Sequence, residues 1–250
     1  MDILYQLPFP KEVCSKIFMY ACKSPHTGIG VAVLKKKLKK KNLNIPDKDE
    51  DVIMHKYDDF YKQFNKFVDI YYFTCFTNLT EIYLAHMSVI GDIGHLNLVP
   101  NLTIINIEFT DITGDIGSLK SLRNLTEISL NGTGVTGDIG SLKSLVNLTD
   151  IDLRETDVSG DIIHLISLPN LNNIDFNNEG IYGDITHLKL LPELERINLV
   201  ETGVTGNIDH LKSLPNLNTV YLNDTNVTGY EEAFHKYRKN TGLEECRLYY

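Results

Sequence analysis

Leu125 to Asn147 reads LTEISLNGTGVTGDIGSLKSLVN. Leu125, Ile128 and Leu130 are apolar, and polar Ser129 separates the last two. Such alternation marks a strand with one buried face. Thr133 follows, then Val135, Gly137-Asp138-Ile139, Leu142, Leu145 and Asn147. The same unit is written seven times: Leu79, Leu102, Leu125, Leu148, Leu171, Leu194 and Leu217 stand 23 residues apart without insertion or deletion. A fixed period of this length means a solenoid. One coil cannot bury its own apolar side, so stacked coils bury Leu on Leu and Ile on Ile in ladders at the strand spacing of ~4.8 Å. The result is a long regular surface, and such surfaces usually bind things.

Other columns run through the array. After the strand comes Met87, then Thr110, Thr133, Thr156, Glu179, Thr202 and Thr225. Val89, Ile112, Val135, Val158, Ile181, Val204 and Val227 form the next apolar column. Gly91, Gly114, Gly137, Gly160, Gly183, Gly206 and Gly229 form a glycine column without exception. Glycine is expected where the chain turns from the strand side to the outer side with positive φ.

The pattern LxxIxLxxTxVTGDIxxLxxLxN over residues 64–250 resembles a leucine-rich repeat, and within that family it is similar to the plant type, which has a Gly-x-Ile step after the strand. The resemblance implies an α/β leucine-rich-repeat solenoid, right-handed, with a parallel β-sheet on its concave face. Three departures stand out. Thr replaces the family's asparagine, so a hydroxyl must make the backbone bonds of that ladder. The plant-type Pro after Ile is absent, and so are the paired cysteines that cap extracellular members.

The array has readable ends. Residues 64–78 (FNKFVDIYYFTCFTN) align with the second half of a repeat, placing Ile70 in the Ile93 column, Phe73 in the Leu96 column, Phe76 in the Val99 column and Asn78 in the Asn101 column. This is an opening half-repeat before the seven repeats of 79–240. Tyr230 to Asn240 reads as a longer helix with Phe234 and Tyr237 in the apolar columns. Leu243, Cys246 and Leu248 then repeat the strand triplet, so 243–250 is expected to be a capping strand.

Residues 1–63 have no period. Val13, Ile17, Phe18, Tyr20 and Ala21 form a helical stripe after Pro10, and Val31, Leu34 and Leu38 form another among lysines. Two to four short helices docked on the first coil as an N-terminal helical cap are expected. Leu7-Pro8 with Glu12, Ile17 and Phe18 is similar to the opening of an F-box, although Phe9-Pro10 is inserted. That resemblance implies a ubiquitin-ligase adaptor at the N-terminus. The run Lys35 to Lys41 reads as a solvated helix face, with a nuclear-localisation signal as the alternative.

Net charge is −9, unevenly placed. Residues 1–78 carry 13 Lys against 9 Asp plus Glu, a balance of +4. Residues 79–250 carry 11 Lys plus Arg against 24 Asp plus Glu, a balance of −13. Nucleic acid is therefore not expected on the array. Cys14, Cys22, Cys75 and Cys246 form no Cys-x-x-Cys pair and suit buried positions in a reducing compartment. With no signal peptide and no ~20-residue apolar run read in the sequence, a cytoplasmic protein off the membrane is expected. The sequons at Asn78, Asn101, Asn124 and Asn147 read as repeat framework rather than glycosylation sites.

Two columns carry groups able to do chemistry. His95, His164, His187 and His210 share an outer column that a divalent metal would suit. Ser118 and Ser141 occupy it elsewhere, which favours a solvated polar column. Asp92, Asp115, Asp138, Asp161 and Asp184, ending in Asn207, suit capping of the following helical segment better than calcium. No catalytic set, cofactor or metal is expected: the phosphate-loop, Gly-x-Ser-x-Gly and His-Glu-x-x-His motifs are all absent.

Binding is expected on the strand face, at Glu81, Tyr83, Ile104, Glu108, Phe109, Glu127, Asp150, Asp152, Arg154, Asp175, Arg196 and Tyr221. Carboxylates outnumber the two arginines there, so a protein partner with a basic surface is expected, with aromatic anchors such as Phe109. The sequence thus reads as a non-enzymatic protein–protein interaction scaffold. An F-box-type substrate receptor and a structural subunit of a larger assembly are the alternatives.

Overall fold

The computed structural model describes residues 68–75 and 79–250. The helical cap of 1–63, its F-box-like opening, Lys35 to Lys41, Cys14, Cys22, and Phe76 and Asn78 of the half-repeat lie outside the described residues.

The repeat columns become the core. All seven period leucines, the Ile or Val three residues on, and Ile93, Ile116, Ile139, Ile162, Ile185 and Ile208 are buried. The triplet strands are Glu81–Tyr83, Ile104–Asn106, Glu127–Ser129, Asp150–Asp152, Asn173–Asp175, Arg196–Asn198, Thr219–Tyr221 and Arg247–Tyr249. They form one parallel sheet, sheet 1, and from Glu81 to Thr219 each residue pairs with the one 23 positions on, as Ile128 does with Ile151.

A second parallel sheet, sheet 2, was not expected. It contains Val68–Asp69, Val89–Asp92, Asp111–Asp115, Gly134–Asp138, Asp157–Asp161, Ile181–Asp184, Gly203–Asn207 and Asn226–Thr228. The glycine column from Gly91 to Gly206 lies inside these strands, not at a turn between faces, and Gly229 follows the last of them. The column's φ values are nevertheless all positive, from 106 to 129°. A second reason for glycine appears at Gly137, where a Cβ would lie 2.5 Å from Asp115 Oδ1 of the preceding coil. The glycine leaves room for the neighbour's cap.

That cap is the Asp column at work. Asp92, Asp115, Asp138, Asp161 and Asp184 each accept a hydrogen bond from the N–H two residues on, at 2.6–2.8 Å, and Asn207 does the same. Each opens a 3-10 helix, such as Ile116–Ser121, that returns the chain to sheet 1. Asp69 caps Tyr71 in the same way, and Ile70 and Phe73 are buried like the Ile93 and Leu96 columns they align with.

Hydroxyls do replace the family asparagine. Thr110, Thr133, Thr156, Thr202 and Thr225 each donate to the carbonyl three residues back at 2.6–2.7 Å. Where Glu179 breaks the column, the neighbouring Asn178 makes a different bond, accepting from Ile181 N–H. The sequon residue Asn147 donates to Arg123 O of the previous coil at 2.9 Å, which supports its framework role.

The C-terminal end differs from expectation in two ways. Phe234 of the helix Glu231–Thr241 is buried, but Tyr237 is 36% exposed, and the neighbour Arg238 goes inside at 1%. Arg238 donates to the carbonyls of Leu217, Leu214, Glu244 and Lys212 at 2.7, 2.8, 2.8 and 3.3 Å, so it satisfies groups that a further coil would otherwise cover. Leu248 pairs with Val220 rather than Leu222, two residues out of the triplet register. Cys246 is fully buried, and burial pushes its thiol up to about 11.

Candidate binding face

Strict register turns the outward residues of sheet 1 into straight files. One file runs Glu81, Ile104, Glu127, Asp150, Asn173, Arg196, Thr219 and Arg247. The next runs Tyr83, Asn106, Ser129, Asp152, Asp175, Asn198, Tyr221 and Tyr249. Successive members stand one strand spacing apart, within side-chain reach. Nine of the twelve expected residues lie in these files, and Glu108 and Arg154 lie in the turns that immediately follow them with ordinary backbone.

Phe109 is placed differently from expectation. It sits in the turn after Ile104–Asn106 with φ 51°, 44% exposed. His86, Glu155, Glu201 and Asp224 occupy the same column with φ between 51 and 60°, Gly132 shares it at 64°, and Asn178 interrupts it. The Phe109 ring stacks on His86 at 4.7 Å and covers Gly132, whose Cβ would lie 2.7 Å from it. A left-handed conformation at non-glycine residues is a strained arrangement held by its surroundings. Gly132 and Asp224 are residue types that suit this backbone, but Phe109, Glu155 and Glu201 are not, so the column was not legible.

The fold compares with solved structures. No protein-family model matches the sequence, and no curated protein sequence does. Similar structures include a TDR receptor at 24% identity and TM-score 0.61, covering 71% of this chain and 32% of that one. An internalin, InlF, from Listeria monocytogenes matches at 20% identity and TM-score 0.58, covering 73% of this chain and 51% of the internalin. The leucine-rich-repeat ectodomain of the Arabidopsis receptor kinase HAESA, in complex with an IDA peptide hormone ligand, matches at 22% identity and TM-score 0.54, covering 62% and 28%. The chain folds as a leucine-rich-repeat solenoid. It spans about half the length of the internalin and about a third or less of the two receptors.

On this leucine-rich-repeat solenoid the strand face is electrically divided. Arg154 grips Asp152 through two parallel bonds, Nη2 to Oδ2 at 2.6 Å and Nε to Oδ1 at 3.0 Å. It also reaches Asp175 at 3.4 Å, as does Arg196 from the other side. Asn198 donates to the same carboxylate at 2.6 Å. Burial above all, with Asp152 beside it, still raises the Asp175 pKa against the pull of both arginines. The middle of the face is thus neutralised within itself, so four of the expected charged residues compensate one another.

Toward the N-terminal end the balance changes. Among the described residues no lysine or arginine pairs with Glu81, Glu127 or Asp150. Burial, then the charges of Asp150 and Glu81, push the Glu127 carboxyl up. Burial and Glu81 and Glu127 raise the Tyr83 phenol likewise. Asn173 donates to Asp150, and Ser129 donates to Glu108. Toward the C-terminal end Arg196 lies over the Tyr221 ring at 5.3 Å, and Tyr221 stacks on Tyr249 at 4.5 Å. Tyr249 and Arg247 were missed because the last strand pairs out of register.

The outer histidines do not gather. His95 lies edge-on to Tyr71 at 5.1 Å, His164 and His210 are exposed, and among the described residues no group of three His, Cys, Asp or Glu is placed to hold a metal ion. Among the same residues no helix is long and apolar enough to cross a membrane.

Proposed function

We propose that this solenoid is a non-enzymatic interaction module that holds a protein partner with a basic surface against the acidic N-terminal half of sheet 1, its concave face. One observation carries the reading. Glu81, Glu127 and Asp150 stand in a single file, Ile104 between the first two, with no lysine or arginine paired to any of the three among the described residues. Burial first, and then their mutual repulsion, raises the Glu127 pKa, and the repulsion is relieved when a lysine or arginine of a partner lies across the file. The neutralised Asp152–Arg154–Asp175–Arg196 group adds shape and polarity but little net field. The His86–Phe109 stack on the adjacent turns supplies an apolar anchor. The peptide hormone in the HAESA structure is consistent with a binding role for this fold.

The test uses the partner captured from the native source on immobilised protein. Reversing Glu81, Glu127 and Asp150 to lysine together is expected to slow association by about tenfold or more and to flatten its salt dependence. Phe109→Ala is expected to raise the dissociation rate instead. An affinity indifferent to salt, to the reversal and to Phe109→Ala sinks the proposal.

A further inference from the structure

The two sheets end differently. Sheet 1 gains the strand Arg247–Tyr249 over Thr219–Tyr221. Sheet 2 stops at Asn226–Thr228, whose partner among the described residues is Gly203–Asn207 on one side alone. Its other edge borders a groove of about 640 Å³ lined by Val227, Tyr230, Glu231, Glu232, Lys236 and Tyr250, among others. Val227 marks what is missing. Every earlier member of its column, from Val89 to Val204, is buried, whereas Val227 is only half-buried. In each earlier coil the next strand of sheet 2 supplies that cover. The edge carries no lysine, proline or bulge of the kind that blunts exposed strands. Tyr230, 78% exposed, stands beside it.

Charge decides between occupants. Glu231 and Glu232 face the groove against Lys236, with His235 3.3 Å from Glu231, and burial, then Glu231 and Asp209, raise the Tyr250 phenol. A second copy paired edge to edge about a two-fold axis would bring both sets of glutamates together. A segment carrying lysine or arginine relieves the same field. We propose that the open edge at Asn226–Thr228 accepts an extended, basic segment of a partner protein as an additional strand of sheet 2. Main-chain hydrogen bonds supply the affinity, an apolar side chain of the segment covers Val227, and a basic one meets Glu231 and Glu232. This surface is separate from the file on sheet 1, and either proposal stands if the other fails.

The experiment combines amide hydrogen exchange with peptide titration on the full chain. In the free protein the segment 226–229 is expected to exchange about tenfold faster than 203–207, which is paired on both sides. An octapeptide of alternating Thr and Val flanked by lysines is expected to slow that exchange, and its glutamate-flanked counterpart is not. Glu232→Lys, at an exposed position that leaves the fold intact, is expected to weaken the lysine peptide about tenfold. Three results overturn the proposal: an edge already protected in the free protein, as it would be in a dimer or when covered by the chain itself; no lysine-peptide binding up to about 1 mM; or equal binding of both peptides.

Discussion

Replacing Arg238 with alanine removes the side chain that closes the last coil. Three of its hydrogen bonds, to the carbonyls of Leu217, Leu214 and Glu244, are 2.7–2.8 Å long, and the fourth, to Lys212 at 3.3 Å, counts for less. Bonds from a charged donor contribute about 1.5–3 kcal/mol each, so the three short ones total roughly 4.5–9 kcal/mol. Against this stands the cost of holding a guanidinium out of water with no carboxylate at ion-pair distance among the described residues. Burial accordingly lowers its pKa, and the cost amounts to several kcal/mol. The net loss expected for Arg238→Ala is about 2–5 kcal/mol. A solenoid couples each coil mainly to its neighbours, so the damage should stay local. Urea unfolding with segment-resolved hydrogen exchange is the assay. Exchange should quicken in Thr219–Tyr221, Arg247–Tyr249 and the helix Glu231–Thr241 and remain slow in Ile104–Asn106. Arg238→Lys should recover less than half of the loss, because an ammonium cannot reach three carbonyls as a planar fork does. A loss below about 1 kcal/mol, the scale of a single ordinary hydrogen bond, or exchange that rises evenly along the chain, refutes the capping role.

Two further outcomes follow from the geometry. Gly137→Ala should cost more than about 1 kcal/mol, and part of that cost should vanish in an Asp115→Ala background, because φ of 106° and the 2.5 Å approach to Asp115 Oδ1 act together; a denaturant double-mutant cycle with no coupling speaks against the shared device. The folded-state pKa of Glu127 is raised, so its ionisation opposes folding as pH climbs through that value. Glu127→Gln should therefore raise Tm at pH 7 and leave it unchanged well below the carboxylate range, and a lowered Tm at pH 7 contradicts the crowding of charge there.

The period-23 leucines made the solenoid, its parallel strand face and its Asp caps legible, because each is a local rule repeated in register. The positive φ of Gly137 was legible for the same reason, but its setting was not. Val135-Thr136-Gly137-Asp138 carries turn chemistry in sequence, and it becomes a strand only because identical segments stack beside it. Tertiary context also sent Arg238 inward past Tyr237: three of the four carbonyls it bonds, those of Lys212, Leu214 and Leu217, belong to residues more than 20 positions away. On the candidate face, the files of Glu81, Glu127 and Asp150 follow directly from the alternation. The pairing of Arg154 with Asp152 and Asp175 does not, since it depends on rotamers that a list of outward residues leaves open. The left-handed column through Phe109 and Glu155 was invisible because neither residue type signals that backbone.

Carboxyl footprinting of the complex shows which face of the solenoid the partner covers. The chain is labelled with a carbodiimide and an amine, alone and with its native partner bound, and modification is read at each Asp and Glu by mass spectrometry. The account predicts that labelling of Glu81, Glu127 and Asp150 falls sharply on binding, while Asp92, Asp115 and Asp138 on the far side of the coil keep theirs. Unchanged labelling of the first three, or protection confined to the second three, contradicts it.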